Sequence, residues 1–247
     1  MGLYMLHIRT RSVDCPGATA PPQSDPRECT HRLRRSLGPA WRWGTRGRFA
    51  RPVIGGGPVG RVIVEQIVSA DGYTARTDGD ISWFENADFS ETEDDQLQML
   101  TRVEAIVLGA STYRMFAAYW PGADESAERI AGPINALPKH IVSTTLKEAP
   151  WGKFTPAIVE RGDGAQIVAD LSQRYTGDLV VWGSLTLTDA LFAAGLVDVL
   201  RLRIVPVLIG TGRPLAPTVH GDTTLELASA LSFPHGHVRT EYHLARS

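Results

Sequence analysis

The feature that most restricts this chain is Arg61–Ser69 (RVIVEQIVS), a β-branched run that is almost continuously apolar. A strand of that kind belongs in the middle of a sheet with both faces covered, which calls for parallel neighbours and crossover helices. Shorter runs of the same character follow: Ala105–Leu108 (AIVL), Lys139–Ser143 (KHIVS), Ala157–Glu160 (AIVE) and Asp178–Trp182 (DLVVW). Helical patterns separate them. Phe89-Ser90-Glu91 opens a helix, with Ser90 as N-cap, Glu93 completing a capping box, and Leu97, Leu100 and Val103 as the buried stripe. Further helices are expected from about Ser111 to Tyr119, over Ile167–Tyr175, and from Gly183-Ser184 to Gly195. Leu200–Ile209 alternates as a long strand, and Thr223–Ser232 with His237–Ala245 reads as an antiparallel pair. The expected fold class is α/β, a mostly parallel central sheet with antiparallel C-terminal edge strands and flanking helices.

That pattern begins only at residue 61. Residues 1–60 carry ten Arg, no Lys and three acids, a net of +7, whereas residues 61–247 carry a net of −9. The first segment contains Pro21-Pro22 and Gly55-Gly56-Gly57-Pro58 and has no sustained apolar period. It cannot bury enough surface to offset its ordering entropy, so residues 1–60 are expected to be a disordered basic extension outside a domain spanning 61–247. An organelle leader, a polyanion-binding arm around Trp41-Arg42-Trp43, and an upstream start with Val59 as the natural initiator are the competing readings. The acidic body argues against nucleic acid as a ligand. No run approaches the apolar length of a membrane span, and the cytoplasm is the default location. Both cysteines, Cys15 and Cys29, precede residue 61, so the body has no thiol for a disulfide, a metal or a nucleophile. His140, His220, His235, His237 and His243 show no metal-ligand spacing, and no metal is expected.

Three strand ends share a feature that bears on chemistry. Leu108-Gly109-Ala110-Ser111-Thr112, Val142-Ser143-Thr144-Thr145 and Trp182-Gly183-Ser184-Leu185-Thr186 each run from a buried strand into Gly or Ser/Thr and then a helix or loop. In an open α/β sheet, ligands bind outside the carboxyl ends of the strands, where helix N-termini present free N–H groups to phosphate oxygens. One such turn is ordinarily a helix cap; three in one sheet favour an anionic, nucleotide-like ligand. None of them is G-x-G-x-x-G or a P-loop. Glu65 stands out as a carboxylate in a central strand, either a general acid facing a pocket or one half of an ion pair. Arg201 and Arg203 point to one face of their strand, and Arg203 would favour an anionic substrate if that face lines the pocket. Trp83 and Phe84 are candidates for stacking on a planar heterocycle.

Ser69-Ala70-Asp71-Gly72-Tyr73-Thr74-Ala75, Asp78-Gly79-Asp80 with Ser82-Trp83, Leu108-Gly109 with Thr112-Tyr113, Ala117–Pro121, Leu137-Pro138-Lys139, Gly195–Asp198 and Pro206–Gly212 occur in that order. Taken together, this ordered set resembles the dihydrofolate reductase-like proteins, including the reductase half of bacterial riboflavin-biosynthesis deaminase-reductases. The resemblance covers essentially all of 61–247. It implies a reductase with NADPH as hydride donor. Gly109, Ser111 and Thr112 would sit on the cofactor's phosphates, Ser143 and Thr144 by the adenosine half, Gly183, Ser184 and Leu185 by the pyrophosphate, and Ala75 by the nicotinamide ribose. Many relatives carry Arg after the first glycine, paired with the 2′-phosphate; Ala110 stands there, which leaves NADH as an alternative donor. Trp182 replaces the first residue of a common Gly-Gly pair. On the substrate side the resemblance implies an acid early in the helix after the first loop, with Glu91, Glu93, Asp94 and Asp95 in range; Glu93 and Glu65 are taken as catalytic candidates, and Trp83, Phe84 and Arg203 as substrate-binding. The substrate would be a small heterocyclic or sugar-derived molecule. The zinc-deaminase signature is absent, so the chain is not a bifunctional deaminase-reductase. A cofactor-binding or oligomerising module without turnover is the alternative, with a homodimer formed through the edge strand and the Leu200–Ile209 strand.

Overall fold

β1 (Val62–Ser69) occupies the central position that its composition requires. The computed structural model describes residues 59–85, 87–215 and 223–244. The expectations for residues 1–58 fall outside the described residues. A nine-stranded sheet runs in the order β10-β11-β8-β1-β7-β3-β4-β6-β5. Its strands are β3 (Val103–Gly109), β4 (Lys139–Val142), β5 (Ala149–Trp151), β6 (Phe154–Glu160), β7 (Asp178–Trp182), β8 (Val199–Val205), β10 (Leu225–Ser232) and β11 (Val238–Leu244). Six consecutive strands, β8 to β6 in that order, are parallel, while β10, β11 and β5 pair antiparallel. This is the mostly parallel α/β sheet with an antiparallel C-terminal edge read from the sequence.

The pleat sorts side chains onto two layers. On one face Ile63, Ile106, Leu108, Val180 and Trp182 pack with Met99 and Leu100 of α2 (Glu93–Leu100) and Ile134 of α4 (Ala131–Ala136). α3 (Ala110–Tyr119) adds Tyr113 to this layer. On the other, Val62, Val64, Ala105, Val107, Leu179 and Val181 meet Val168 and Leu171 of α5 (Gly164–Arg174) and Leu187 and Leu191 of α6 (Leu185–Ala193). α1 (Ser82–Glu85) lies in the long connection after β2 (Tyr73–Ala75), which forms a two-stranded sheet with β9 (Arg213–Pro214).

Several local expectations are corrected. The capping box does not form: Ser90–Thr92 is a 3-10 turn with no side-chain cap, Asp88 Oδ1 accepts the Ser90 N–H at 2.9 Å, and Glu93 turns to Arg129. The inward positions of α2 are Gln96, Met99 and Leu100 rather than Leu97, and Val103 already belongs to β3. The Leu200–Ile209 strand ends at Val205, because Pro206 has no N–H for the ladder. β8 is flanked by β11 and β1, so it has no free edge; the free edge on that side belongs to β10. β2, β5, β9 and α4 were not anticipated; each is shorter than seven residues and carries little periodicity.

Candidate functional site

Parallel pairing puts the carboxyl ends of β7, β3 and β4 side by side, so the three Gly or Ser/Thr turns lie along one edge. Two of them are stitched together. Gly183 (φ 54°) and Ser184 (φ 52°) both adopt the left-handed conformation, and Ser184 is the one non-glycine to do so among the described residues. That conformation costs an ordinary side chain about 1–2 kcal/mol. Hydrogen bonds offset it: Ser184 Oγ accepts the Gly109 N–H at 2.7 Å and donates to Trp182 O at 2.9 Å, while the Ser184 N–H donates to Thr112 Oγ1 at 2.9 Å. Gly183 is needed on two counts, its positive φ and a Cβ position only 3.0 Å from Thr112 Oγ1. Its carbonyl accepts from Gln66 Nε2 at 2.5 Å and Thr188 Oγ1 at 3.1 Å.

The stitching changes which groups face a ligand. The N–H groups of Gly109 and Ser184 are spent on each other's turn. The first-turn N–H groups of α3 and α6, at exposed Ser111 and half-buried Leu185, have no intrahelical partner and carry the positive ends of two helices. At the third strand end, Ser143 Oγ accepts from the N–H groups of Thr145 (3.2 Å) and Leu146 (3.1 Å), closing its own loop and leaving Thr144 exposed. Ala75 is buried in the small sheet, where its carbonyl lies against Gly212 too closely for any Cβ there.

Along the same sheet, a buried charged cluster occupies the α2 face of β1, β8 and β11. Glu65 accepts from Gln96 Nε2 at 2.5 Å and Trp182 Nε1 at 3.0 Å, and its other oxygen is 2.6 Å from Arg201 Nε. That last approach is a charge contact, too bent for a hydrogen bond. Arg201 also pairs with Asp95 and with Glu241 (3.1 Å), and Arg239 pairs with Asp95 at 2.8 Å. Arg203, one pleat further toward the carboxyl edge, is paired with no carboxylate among the described residues. Its guanidinium donates to Thr92 Oγ1 and lies 4.6 Å from the centre of the Phe89 ring. Burial pulls its pKa below the ordinary arginine value, with the Arg201 charge adding to that pull and Glu65 and Asp95 opposing it.

The sequence candidates thus divide. Gly109, Thr112, Gly183 and Ser184 come together, with Ser111 and Leu185 beside them, and Ser143 and Thr144 lie one strand further along. Glu65 and Arg203 lie on the adjoining strands. Trp83 and Phe84 stack edge-to-face at 4.9 Å on α1. Glu93 accepts from Arg129 Nε at 2.8 Å and from the Ile130 N–H at 3.2 Å, tying α2 to the segment before α4. Asp95 is the acid of that helix that enters the sheet-face cluster. Asp95 stands four residues before Met99, hence on the buried side, but Glu93, three residues before Gln96, shares that side, so the helical pattern alone does not separate the two.

The RibD C-terminal domain family matches residues 61–238 of this chain. The chain belongs to that family. Among curated relatives, this RibD C-terminal domain protein is 24% identical over 186 residues to the uncharacterized protein YyaP of Bacillus subtilis (strain 168), covering 74% of this chain and 94% of YyaP. Its fold is that of a pyrimidine reductase-like protein from Corynebacterium diphtheriae, with a TM-score of 0.56, 18% identity, and coverage of 76% of this chain and 93% of the other. It is also that of dihydrofolate reductase from Enterococcus faecalis, solved with NADP(H), with a TM-score of 0.52, 13% identity, and coverage of 76% and 98%. In this RibD C-terminal domain no helix of the described residues is long and apolar enough to cross a membrane.

Proposed function

We propose that the protein is an NAD(P)H-dependent reductase that delivers hydride to a C=N or C=O bond of a small heterocyclic or sugar-derived substrate bearing an anionic group. The observation that carries this is the placement of two stitched glycine turns, each opening a helix, beside an arginine with no carboxylate partner. The donor set fits a dinucleotide: the N-termini of α3 and α6 suit a pyrophosphate, and Thr144 at the end of β4 suits the nucleoside beyond it. A bound nicotinamide cofactor supplies the hydride. Arg203 binds and orients the substrate's anion, and Trp83 with Phe84 closes over its ring. Glu65 acts as a positioning residue, since its oxygens are engaged by the side chains of Gln96, Trp182 and Arg201. Glu93, held by Arg129, is no longer assigned a proton-transfer role.

On this reading residues 61–247 form the reductase domain and residues 1–60 lie outside it. Leu225, Leu227 and Leu231, exposed on the free edge strand β10, favour a homodimer formed through that edge. A second reading, a binding module without turnover, is favoured by the internal use of the Gly109 and Ser184 N–H groups. Titration of the full chain with NADPH and NADH, followed by quenching of tryptophan fluorescence, tests the cofactor site, and substrate-dependent oxidation of NADPH then separates turnover from binding alone. Micromolar binding of either cofactor is expected. Absence of binding of both at millimolar concentration would sink the reductase assignment.

A further inference from the structure

The turn between β10 and β11 carries His237, a residue only 6% exposed, and just one of its two ring nitrogens has a partner among the described residues. Nδ1 lies 2.8 Å from Glu91 Oε1. The other Glu91 oxygen accepts the His235 N–H at 2.7 Å, so the carboxyl group is held on both sides. Desolvation pushes that carboxyl upward, but the hydrogen bonds from His237 and the His235 N–H outweigh it and hold it below the ordinary glutamate value. Glu91 is therefore an anion, and Nδ1 carries the proton between the two groups. Nε2 is buried with no hydrogen-bond partner among the described residues, and a buried polar atom left in that state calls for a role.

Its surroundings put that nitrogen near Arg203. Arg239 lies opposite Arg203 and Val238 opposite Ile204, so His237, two residues before Arg239, is on the same sheet face, one pleat nearer the carboxyl edge of β8. The Phe89 ring joins the two: its centre is 5.1 Å from that of the His237 ring and 4.6 Å from the Arg203 guanidinium. The charges around His237 come from each element packed there. The segment before α2 brings Glu91 and exposed Asp88, the hairpin brings exposed His235 and Arg239, and β8 brings Arg203. Asp95 of α2 is taken up by Arg201 and Arg239.

We propose that His237 is the proton donor of the reduction, acting from Nε2, with Glu91 as its positioning residue. This rests on the reductase reading above, in which Glu65 and Glu93 are both engaged by other side chains. Because Nε2 is covered, the half-buried Phe89 ring turns aside as substrate enters. When hydride reaches the carbon of a C=N bond, the π pair moves to nitrogen and takes the Nε2 proton. An N–H bond of the imidazolium breaks, an N–H bond of the product forms, and the ring is left neutral. The acceptor is reduced, the nicotinamide is oxidised, and water returns a proton to Nε2 after product leaves. Glu91 holds the Nδ1 proton throughout, so that exchange is confined to Nε2.

The test uses the full chain, wild type, His237→Asn and Glu91→Gln, with NADPH and dihydrofolate, an acceptor that has a reducible C=N bond and an anionic tail. Wild-type kcat is expected to fall as pH rises through the histidine range of about 5 to 8. Asn can keep a hydrogen bond to Glu91 but has no proton to give. H237N should therefore lose about 100-fold or more in kcat together with that pH limb, while KM and NADPH affinity stay within about threefold. E91Q leaves the donor but loosens its ring, and should fall between the two with the limb retained. An H237N that keeps the wild-type kcat and pH profile, or that raises KM alone, would overturn the donor role. So would a flat wild-type profile over that range, which needs no variant to fold, or a wild type that binds NADPH without oxidising it when dihydrofolate is added. Each of these leaves the cofactor site standing. A wild type that binds neither NADPH nor NADH overturns the reductase reading and this inference with it.

Discussion

Two regions of the same sheet solve opposite problems with opposite chemistry. At the carboxyl ends of β3 and β7 the ties are neutral: hydroxyls of Ser184 and Thr112 meet backbone N–H groups and carbonyls, and no charge is present. On the α2 face of β1, β8 and β11 the ties are ionic, with Glu65, Asp95 and Glu241 set among Arg201 and Arg239. The neutral stitch holds backbone in a strained shape without placing a charge at the turns. The ionic cluster neutralises two arginines and leaves a third, Arg203, with no acid partner among the described residues. The difference shows how a sheet keeps one region rigid and uncharged while presenting a single cation beside it.

The largest effect is expected from removing the acid shared by two arginines. Asp95→Ala is expected to cost about 3–5 kcal/mol, because it strands buried positive charge. In a chain of this size that lowers Tm by roughly 6–20 °C, read by thermal denaturation. A change under about 1 kcal/mol would show that the cluster is solvated and contributes little.

The neutral stitch should be weaker. Thr112→Val removes the acceptor of the Ser184 N–H with little change in shape, and a loss of about 1–3 kcal/mol is expected from the unpaired donor. Cofactor affinity should fall as well, since the two turns lose their tie. Stability loss with unchanged affinity would separate the turn from the binding site.

A second buried cation sharpens the contrast with Arg203. Lys139 Nζ donates to Asn135 O at 2.7 Å and Leu137 O at 2.8 Å and lies 4.6 Å from the centre of the Trp151 ring, with no carboxylate paired to it among the described residues. Burial lowers its pKa from 10.5 to about 8. The folded state therefore binds fewer protons than the unfolded one between those values, so stability should rise as pH climbs from about 8 toward 10.5. At and below pH 8 the cost of burying the charge is present in full. Denaturant midpoints of wild type and Lys139→Met across that range check the sign: the upward slope belongs to wild type and should flatten in the variant.

The smallest stability effect is expected at Arg203 itself. Arg203→Gln breaks no ion pair, so stability should stay within about 1 kcal/mol of wild type. Substrate affinity should drop about tenfold for an anionic substrate once one is identified, with NADPH binding unchanged. A stability loss comparable to that of Asp95→Ala would place Arg203 inside the ionic cluster rather than beside it.

The strands and most helices were legible because their information is local. Ile63 and Val64, Ile106 and Val107, and Val180 and Val181 alternate between the two layers as a doubly covered strand must. Asp163 before α5 behaves as a local N-cap. Ser90, with the same residue chemistry, does not, because Asp88 satisfies its N–H first and Glu93 is claimed by Arg129. The turns at the strand ends were readable from Gly109, Ser143 and Gly183-Ser184. Missed was that Gly109 and Ser184 would consume each other's groups.

By itself the sequence determined the class of sheet, the three turn-bearing strand ends and the presence of an arginine pair on one strand face. Those follow from steric preference and apolar period, which act over a few residues. Strand order and packing set that the β3 and β7 turns adjoin, that Asp95 rather than Glu93 enters the cluster, and that Arg203 rather than Arg201 has no acid partner among the described residues. The reason is distance along the chain: Glu65 meets Trp182 across 117 residues and Asp95 meets Arg239 across 144. A buried polar group takes its role from whichever partner the strand order brings to it, and no local pattern encodes that order.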